Sequence, residues 1–594
     1  MSRVLIVRST WQGPESDWSL HSLQLVEQFD TNPSKKLPAG KPPCGEERSA
    51  AADNMRVILV TFSMRSRWVR LEHRRVGNPF ERFLVNLRSL LLLALLPVAA
   101  VSAQVTLPKV LTSHMVVQRD LPVHVWGMAT PGQSVSVSFR GETRSARAGD
   151  LGRWSIYLAP GAAGGPFQMV VTGTPAVDSG LDAVAPAVAQ PQTIALDDVL
   201  VGDVWLASGQ SNMEFRMHQA ATAATDLPHA KIDRVRLLMV KTHQADFAQD
   251  DAETDGWVAS TPESAHEFSA VAWYFAREIE NKEHVPVGII DSTWGGTMVE
   301  SWTRLAALGE DASLIPVFAS RGRMTDREAT ALLEDKRQQK LIAEAKAAGT
   351  PVPQFPWHPW LAMWGPGLLY NGMIAPLTPL PIRGVIWYQG ESNSMIERSP
   401  GLYNHLFRTL IEDWRKQWGV GDFPFLFVQI ANFKSTSAED WATLREQQRK
   451  TLELRNTAMA VTIDIGNPDN VHPTDKIDVG LRLARAARAI SYGETVEYQG
   501  PVFRQATPEG STLRAWFEHA KGLNFKQGAA TGFEVAGGDG KFSAATAKID
   551  GETILLSSPT VAEPVLVRYG WENSPQCNLF NGEGLPASPF TSVR

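Results

Sequence analysis

DVWLAS at residues 203–208, followed by Gly209-Gln210-Ser211-Asn212-Met213, decides how the chain reads. A short apolar run that ends in a small, polar turn marks a buried strand handing over to a helix. Similar runs recur downstream: VGIIDS at 287–292, GVIWYQG at 384–390, FLFVQIAN at 425–432 and MAVTIDIG at 459–466. Helical patterns separate them at 267–283, 402–418 and 437–455. Strands that alternate with helices specify an α/β fold, a parallel sheet with covering helices.

Ligands of such a sheet bind beyond the C-terminal ends of its strands. The first run is followed by Ser211, the second by Thr293-Trp294-Gly295-Gly296-Thr297, the third by Gln389-Gly390-Glu391-Ser392-Asn393 and the last by a turn carrying Asp469 and His472. Each turn alone is ordinary. The GQS turn lacks the G-x-S-x-G elbow, and Asp, Asn and Gly favour turns on conformational grounds. Together they are the parts of an acyl-transfer site. Ser211 is a nucleophile only if a base takes its proton. His472 is that base by chemistry, since imidazole titrates near neutrality. Asp469, three residues earlier, is the candidate to hold its tautomer. The candidate oxyanion donors are the Ser211 N–H, an N–H at Gly295 or Gly296, and the Asn393 amide. Gly390 and Glu391 complete the third turn.

Outward from this core, residues 104–195 read as short strands of a β-sandwich: VSVSF at 135–139 and WSIYL at 154–158 alternate, and Gly and Pro punctuate them. Residues 174–192, rich in Ala, Pro and Val, read as a loop insertion. The catalytic domain is expected over 198–491. Its insertion at 305–365 is helical over 326–348 and ends in Trp357, Trp360 and Trp364. Residues 492–594 return to short alternating segments, a C-terminal β-rich module. Trp294 and the 357–364 tryptophans are candidates to stack on sugar; Trp387 reads as core.

The N-terminal end reads differently. SLLLLALLPVAA at 89–100, with Arg82 and Arg88 before it and Val101-Ser102-Ala103 after it, has the parts of a secretory signal peptide. It is short for a membrane span. Residues 1–88 then form an unusually long leader, which points to a start site placed too far upstream. Cleavage after Ala103 leaves 43 basic and 54 acidic residues, a net charge of −11. Such a chain does not favour nucleic acid or stable membrane insertion. Of two cysteines, Cys44 leaves with the leader, so Cys577 has no partner for an internal disulfide. No histidine outside the site shows ligand spacing with carboxylates, so neither metal nor cofactor is expected. The oligomeric state is not legible.

These stretches resemble the SGNH hydrolases, and more closely the sialate O-acetylesterase family. The resemblance is carried by 107–135, by DVLVGDVWLASGQSNMEF at 198–215 and by GIIDSTWGGTMVESW at 288–302. YNGMIAPLTPLPIRGVIWYQGESN at 370–393, VHPTDKIDVGLRLA at 471–484 and CNLFNGEGLPASPF at 577–590 continue it. It spans about 104–594. It implies cofactor-free, serine-dependent removal of O-acetyl groups from an acetylated carbohydrate. By position it places the nucleophile on Ser211 and the Asp-x-x-His pair on Asp469 and His472. The oxyanion donors fall on Ser211, the Gly295/Gly296 turn and Asn393. Relatives of this type also act on acetylated xylan and other plant glycans. Arg383, Arg398 and Arg445 lie near active-face segments, with surface or structural roles expected. Two rival readings are a lipase or thioesterase on the same fold and a glycan-binding protein with an idle centre.

Overall fold

The computed structural model describes residues 104–174, 191–355 and 365–593, with only the backbone of 318–332. The expected leader, the signal peptide, most of the 174–192 insertion and Trp357, Trp360 and Trp364 lie outside the described residues.

Seven strands form the central sheet: β1 (Gln192–Gly209), β2 (Ile232–Val240), β3 (Thr254–Ser260), β4 (Val287–Thr293), β5 (Gly384–Tyr388), β6 (Phe425–Gln429) and β7 (Thr457–Val461). Their spatial order is β7-β6-β5-β1-β4-β2-β3. All neighbours are parallel except the edge pair β2/β3. Residues 203–209 of β1 and all of β4, β5 and β6 are buried. Strands covered on both faces must be apolar throughout, which is why these read as unbroken runs. After β4 the chain crosses to the other side of β1, and this reversal leaves a crevice at the C-terminal edge.

Six helices matter below: α1 (Ser211–Glu214), α2 (Ala270–Glu283), α3 (Ile315–Ala348), α4 (Tyr403–Trp418), α5 (Trp441–Lys450) and α6 (Ile477–Tyr492). Helix α4 shows why they form where they do. Leu406, Phe407, Leu410, Ile411, Trp414 and Trp418 recur at helical spacing, and all are buried. Gly419, in the left-handed region at φ 64°, ends the helix. Trp387 of β5 packs in this layer, its ring centroid 5.8 Å from Phe407 and 5.9 Å from Trp414. Core packing is its role, as expected.

The boundary expected between 195 and 198 falls inside a single strand. Strand β1 pairs with Gly164–Thr174 over its first half and with β4 and β5 over its second. The N-terminal β-region is therefore continuous with the central sheet. In it, Val135, Val137 and Phe139 of one sheet and Trp154, Ile156 and Leu158 of another are buried. Residues 502–591 carry a separate apolar cluster that includes Leu513, Val535, Ile554, Val567, Tyr569 and Phe590. Cys577 packs against both this cluster and the main core, and polar contacts add to the link. Gln429 donates to Ser588 at 2.8 Å, and the fully buried Arg445 donates to the carbonyls of Ile430, Ala431, Glu572 and Asn573. Arg445 thus has a structural role. Arg383 likewise donates to the Ser491 carbonyl.

Candidate active site

Ser211 opens α1, immediately beyond β1. Its Oγ lies 2.8 Å from Nε2 of His472, 261 positions away. Both residues are half-buried. Burial, and next the nearby charge of Lys476, hold the His472 imidazole below its ordinary value. A depressed base stays neutral, able to accept the serine proton, further into acid. No described group accepts from the Ser211 N–H, as befits the first turn of a helix.

Asp469 does not join this pair. Its side chain is 81% exposed and sits 3.3 Å from the Lys434 ammonium. No hydrogen bond connects it to His472. The loop is shaped by other groups: Asn467 accepts from the Asp469 N–H at 2.9 Å, and Asn470 accepts from the His472 N–H at 2.9 Å. Two Asx turns therefore shape the loop between Asn467 and His472.

The two glycines separate. The Gly295 N–H donates to Glu214 Oε2 at 2.7 Å, so it is already spent. An added Cβ on Gly295 would lie 3.0 Å from that carboxylate and 3.2 Å from the Ser211 Cβ, so only glycine lets the turn approach the nucleophile this closely. Glu214 is itself held by Arg216 at 3.3 Å, and Arg216 reaches Asp291 at 3.2 Å. Burial pushes Asp291 up to about 6 against the pull of Arg216. Sequence reasoning passed over Glu214, although it stands one helical turn beyond Ser211.

Asn393 is buried and committed on both sides. Its Oδ1 accepts from Gln389 at 2.7 Å and from the Val299 N–H at 3.1 Å, and its Nδ2 donates to Glu300 at 2.9 Å. Gly390, at φ 154°, admits Leu444 and Gln448 within about 3 Å of where a Cβ would sit. Glu391 is more than part of a supporting turn. Its buried carboxylate accepts from Asn212 at 2.6 Å, and Asn212 in turn accepts from the buried Lys476 at 2.6 Å. Neither Asn212 nor Lys476 stood out in the sequence.

His218, His266 and Glu267 come together on the surface, which the sequence spacing did not disclose. The two rings stack with planes 15° apart and centroids 4.5 Å apart. A bound ion lies in the plane of each imidazole it takes, so stacked rings cannot share one until a ring turns. No helix among the described residues is long and apolar enough to cross a membrane.

Comparison with known proteins identifies the family. The family model described as "Carbohydrate esterase, sialic acid-specific acetylesterase" matches residues 201–315 and 324–489. The sialate O-acetylesterase of Homo sapiens is 31% identical over 541 residues, covering 81% of this chain and 91% of the relative. That of Mus musculus is 29% identical over 526 residues, covering 80% and 92%. The crystal structure of a carbohydrate acetylesterase from Xanthomonas citri is 38% identical with a TM-score of 0.68, covering 82% of this chain and 99% of that one.

Proposed function

This chain belongs to the carbohydrate esterase family of sialic acid-specific acetylesterases, a carboxylic ester hydrolase, and on that premise we propose that it is an exported serine esterase that removes O-acetyl groups from sialic acid. The observation that carries the reading is the 2.8 Å contact between Ser211 Oγ and His472 Nε2 at the C-terminal edge of the sheet. Ser211 Oγ attacks the acetyl carbonyl carbon as its proton passes to His472. The collapsing intermediate expels the sugar oxygen, which takes the proton from His472 and leaves an acetyl-serine. Water, deprotonated by the same imidazole, attacks the acetyl-serine. Acetate leaves and Ser211 regains its proton.

We assign the oxyanion to the N–H groups of Ser211 and Gly296, since Glu214 occupies the N–H of Gly295. The second Nδ2 proton of Asn393, beyond its bond to Glu300, is the third donor. Export rests on the signal-like segment at 89–103, and N-terminal sequencing of the secreted protein checks cleavage after Ala103.

The substrate test is acetate release by the purified protein from 9-O-acetylated sialic acid and from acetylated xylan, side by side, with Ser211→Ala as control. Preference for the sialic acid is the expected result. Preference for xylan keeps the mechanism and moves the substrate to plant polysaccharide.

A further inference from the structure

Behind the nucleophile lies a buried polar cluster for which the mechanism above has no use. Asn212 is 1% exposed and Lys476 is 0% exposed. The Asn212 Nδ2 donates to Glu391 at 2.6 Å and to the Val471 carbonyl at 3.0 Å, while its Oδ1 accepts from the Lys476 ammonium at 2.6 Å. One amide therefore joins the residue after Ser211 to the residue before His472. We propose that Asn212 is a positioning residue that fixes the base against the nucleophile, and that Lys476 and Glu391 lock its amide in the one orientation that does so.

The lock follows from the donors and acceptors. Turned over, the Asn212 oxygen would face the Glu391 carboxylate and the Val471 carbonyl, and its NH2 would face an ammonium. Every contact would then be repulsive. In the observed orientation every contact is favourable, and the charged partners make them strong. The imidazole needs such a brace. Among the described residues its Nδ1 has no hydrogen-bond partner and only Ser211 bonds the ring directly, so its position depends on the backbone at 471–472. A displacement of about 1 Å between reacting groups costs on the order of 100-fold in rate.

Lys476 also acts through space. Its ammonium lies over the rings of Phe215 and Tyr388, at 4.7 and 5.5 Å. It faces Glu391 from the turn after β5, with Asp475 and His472 on its own loop. Burial lowers the Lys476 ammonium to about 7, so it is charged through the acid range, and there its positive charge opposes protonation of His472. Removing that charge raises the pH at which the base loses function.

The proposal rests on the Ser211/His472 reading, and the test keeps the two apart. Asn212→Ala, Asn212→Asp, Lys476→Met and Ser211→Ala are assayed on p-nitrophenyl acetate. Competent sites in the two Asn212 variants and in Lys476→Met are counted by titration with a covalent serine reagent. The expected result for Asn212→Ala is a kcat per competent site lower by about 100-fold, with KM within about threefold. Asn212→Asp keeps the volume, loses the donor to Val471, and carries the test if the alanine variant does not fold. Lys476→Met is expected to lower kcat and to move the acid limb of kcat/KM upward, which a purely structural defect would not do. Full kcat per site in both Asn212 variants, with Ser211→Ala inactive, overturns the proposal and leaves the site reading intact. An unmoved limb and unchanged kcat in Lys476→Met overturn the part given to lysine. An active Ser211→Ala overturns the site reading and this proposal with it.

Discussion

Glu214 follows Ser211 by three residues, and Asp469 precedes His472 by three. The two carboxylates are alike in chemistry and in sequence spacing, yet the fold treats them differently. Glu214 accepts from the Gly295 N–H at 2.7 Å and from Arg216 at 3.3 Å, so it ties the nucleophile turn to the neighbouring strand end. Asp469 stands in solvent against Lys434. What a carboxylate does is set by the donors the fold brings to it, and spacing along the chain does not reveal those donors. The motif drew attention to the second carboxylate, while the first is the one hydrogen-bonded to the turn beside Ser211.

The sharpest way to break this comparison is to remove the pair on which both sides depend. Ser211→Ala and His472→Ala are each expected to lose at least about 1000-fold in kcat, since nucleophile and base act as a unit. The double variant should be little worse than either single one. Each protein should unfold near the wild-type temperature, because both side chains are only half-buried. Additive losses in the double variant would show that the two groups do not work together. In that case neither carboxylate flanks a catalytic centre.

Glu214→Ala comes next. It leaves Ser211 and His472 in place but frees the Gly295 N–H and leaves Arg216 with Asp291 alone. Removing an oxyanion donor outright costs about 3–4 kcal/mol. Loosening the turn that carries one should cost less, roughly 10- to 50-fold in kcat with little change in KM. Glu214→Gln keeps an acceptor and should recover most of the activity. Steady-state kinetics on an acetyl ester decide between these outcomes, and an unchanged kcat in the alanine variant would remove Glu214 from the oxyanion side of the site.

The same contrast between pattern and packing governs how much could be read in advance. Strands β1 and β4 to β7 were legible because both of their faces are covered, which forces apolar runs. Strands β2 and β3 were not. Ile232–Val240 begins IDRVR, and Arg236 is buried against Asp198 at about 3 Å, so a charged residue interrupts the run. Ser211 and His472 were legible because they sit at strand ends in a workable order. Asn212 and Lys476 were not, since a polar residue gives no sign in sequence that it will be buried and paired. The split drawn near 195 lies inside a strand for a similar reason. Composition changes there, but strand β1 runs through the change and serves two sheets at once.

Asp469→Asn carries the smallest expected effect and separates motif from geometry most cleanly. The resemblance gives Asp469 the task of orienting His472. A group in that task would also hold the imidazolium, so its loss would cost orders of magnitude in kcat and lower the pKa of the base. The structure predicts otherwise. Burial and the charge of Lys476 depress His472, and no carboxylate among the described residues opposes them. The base works in its neutral form, so the acid limb of kcat/KM should lie below the ordinary histidine value of about 6.5. In Asp469→Asn that limb should stay where it is, with kcat reduced by no more than about threefold. The ion pair with Lys434 is exposed on both sides, and exposed pairs contribute little to stability. A large loss of kcat together with an acid-shifted limb would mean that Asp469 swings to His472 in the working enzyme. The brace on the base would then be shared between that carboxylate and the buried amide of Asn212.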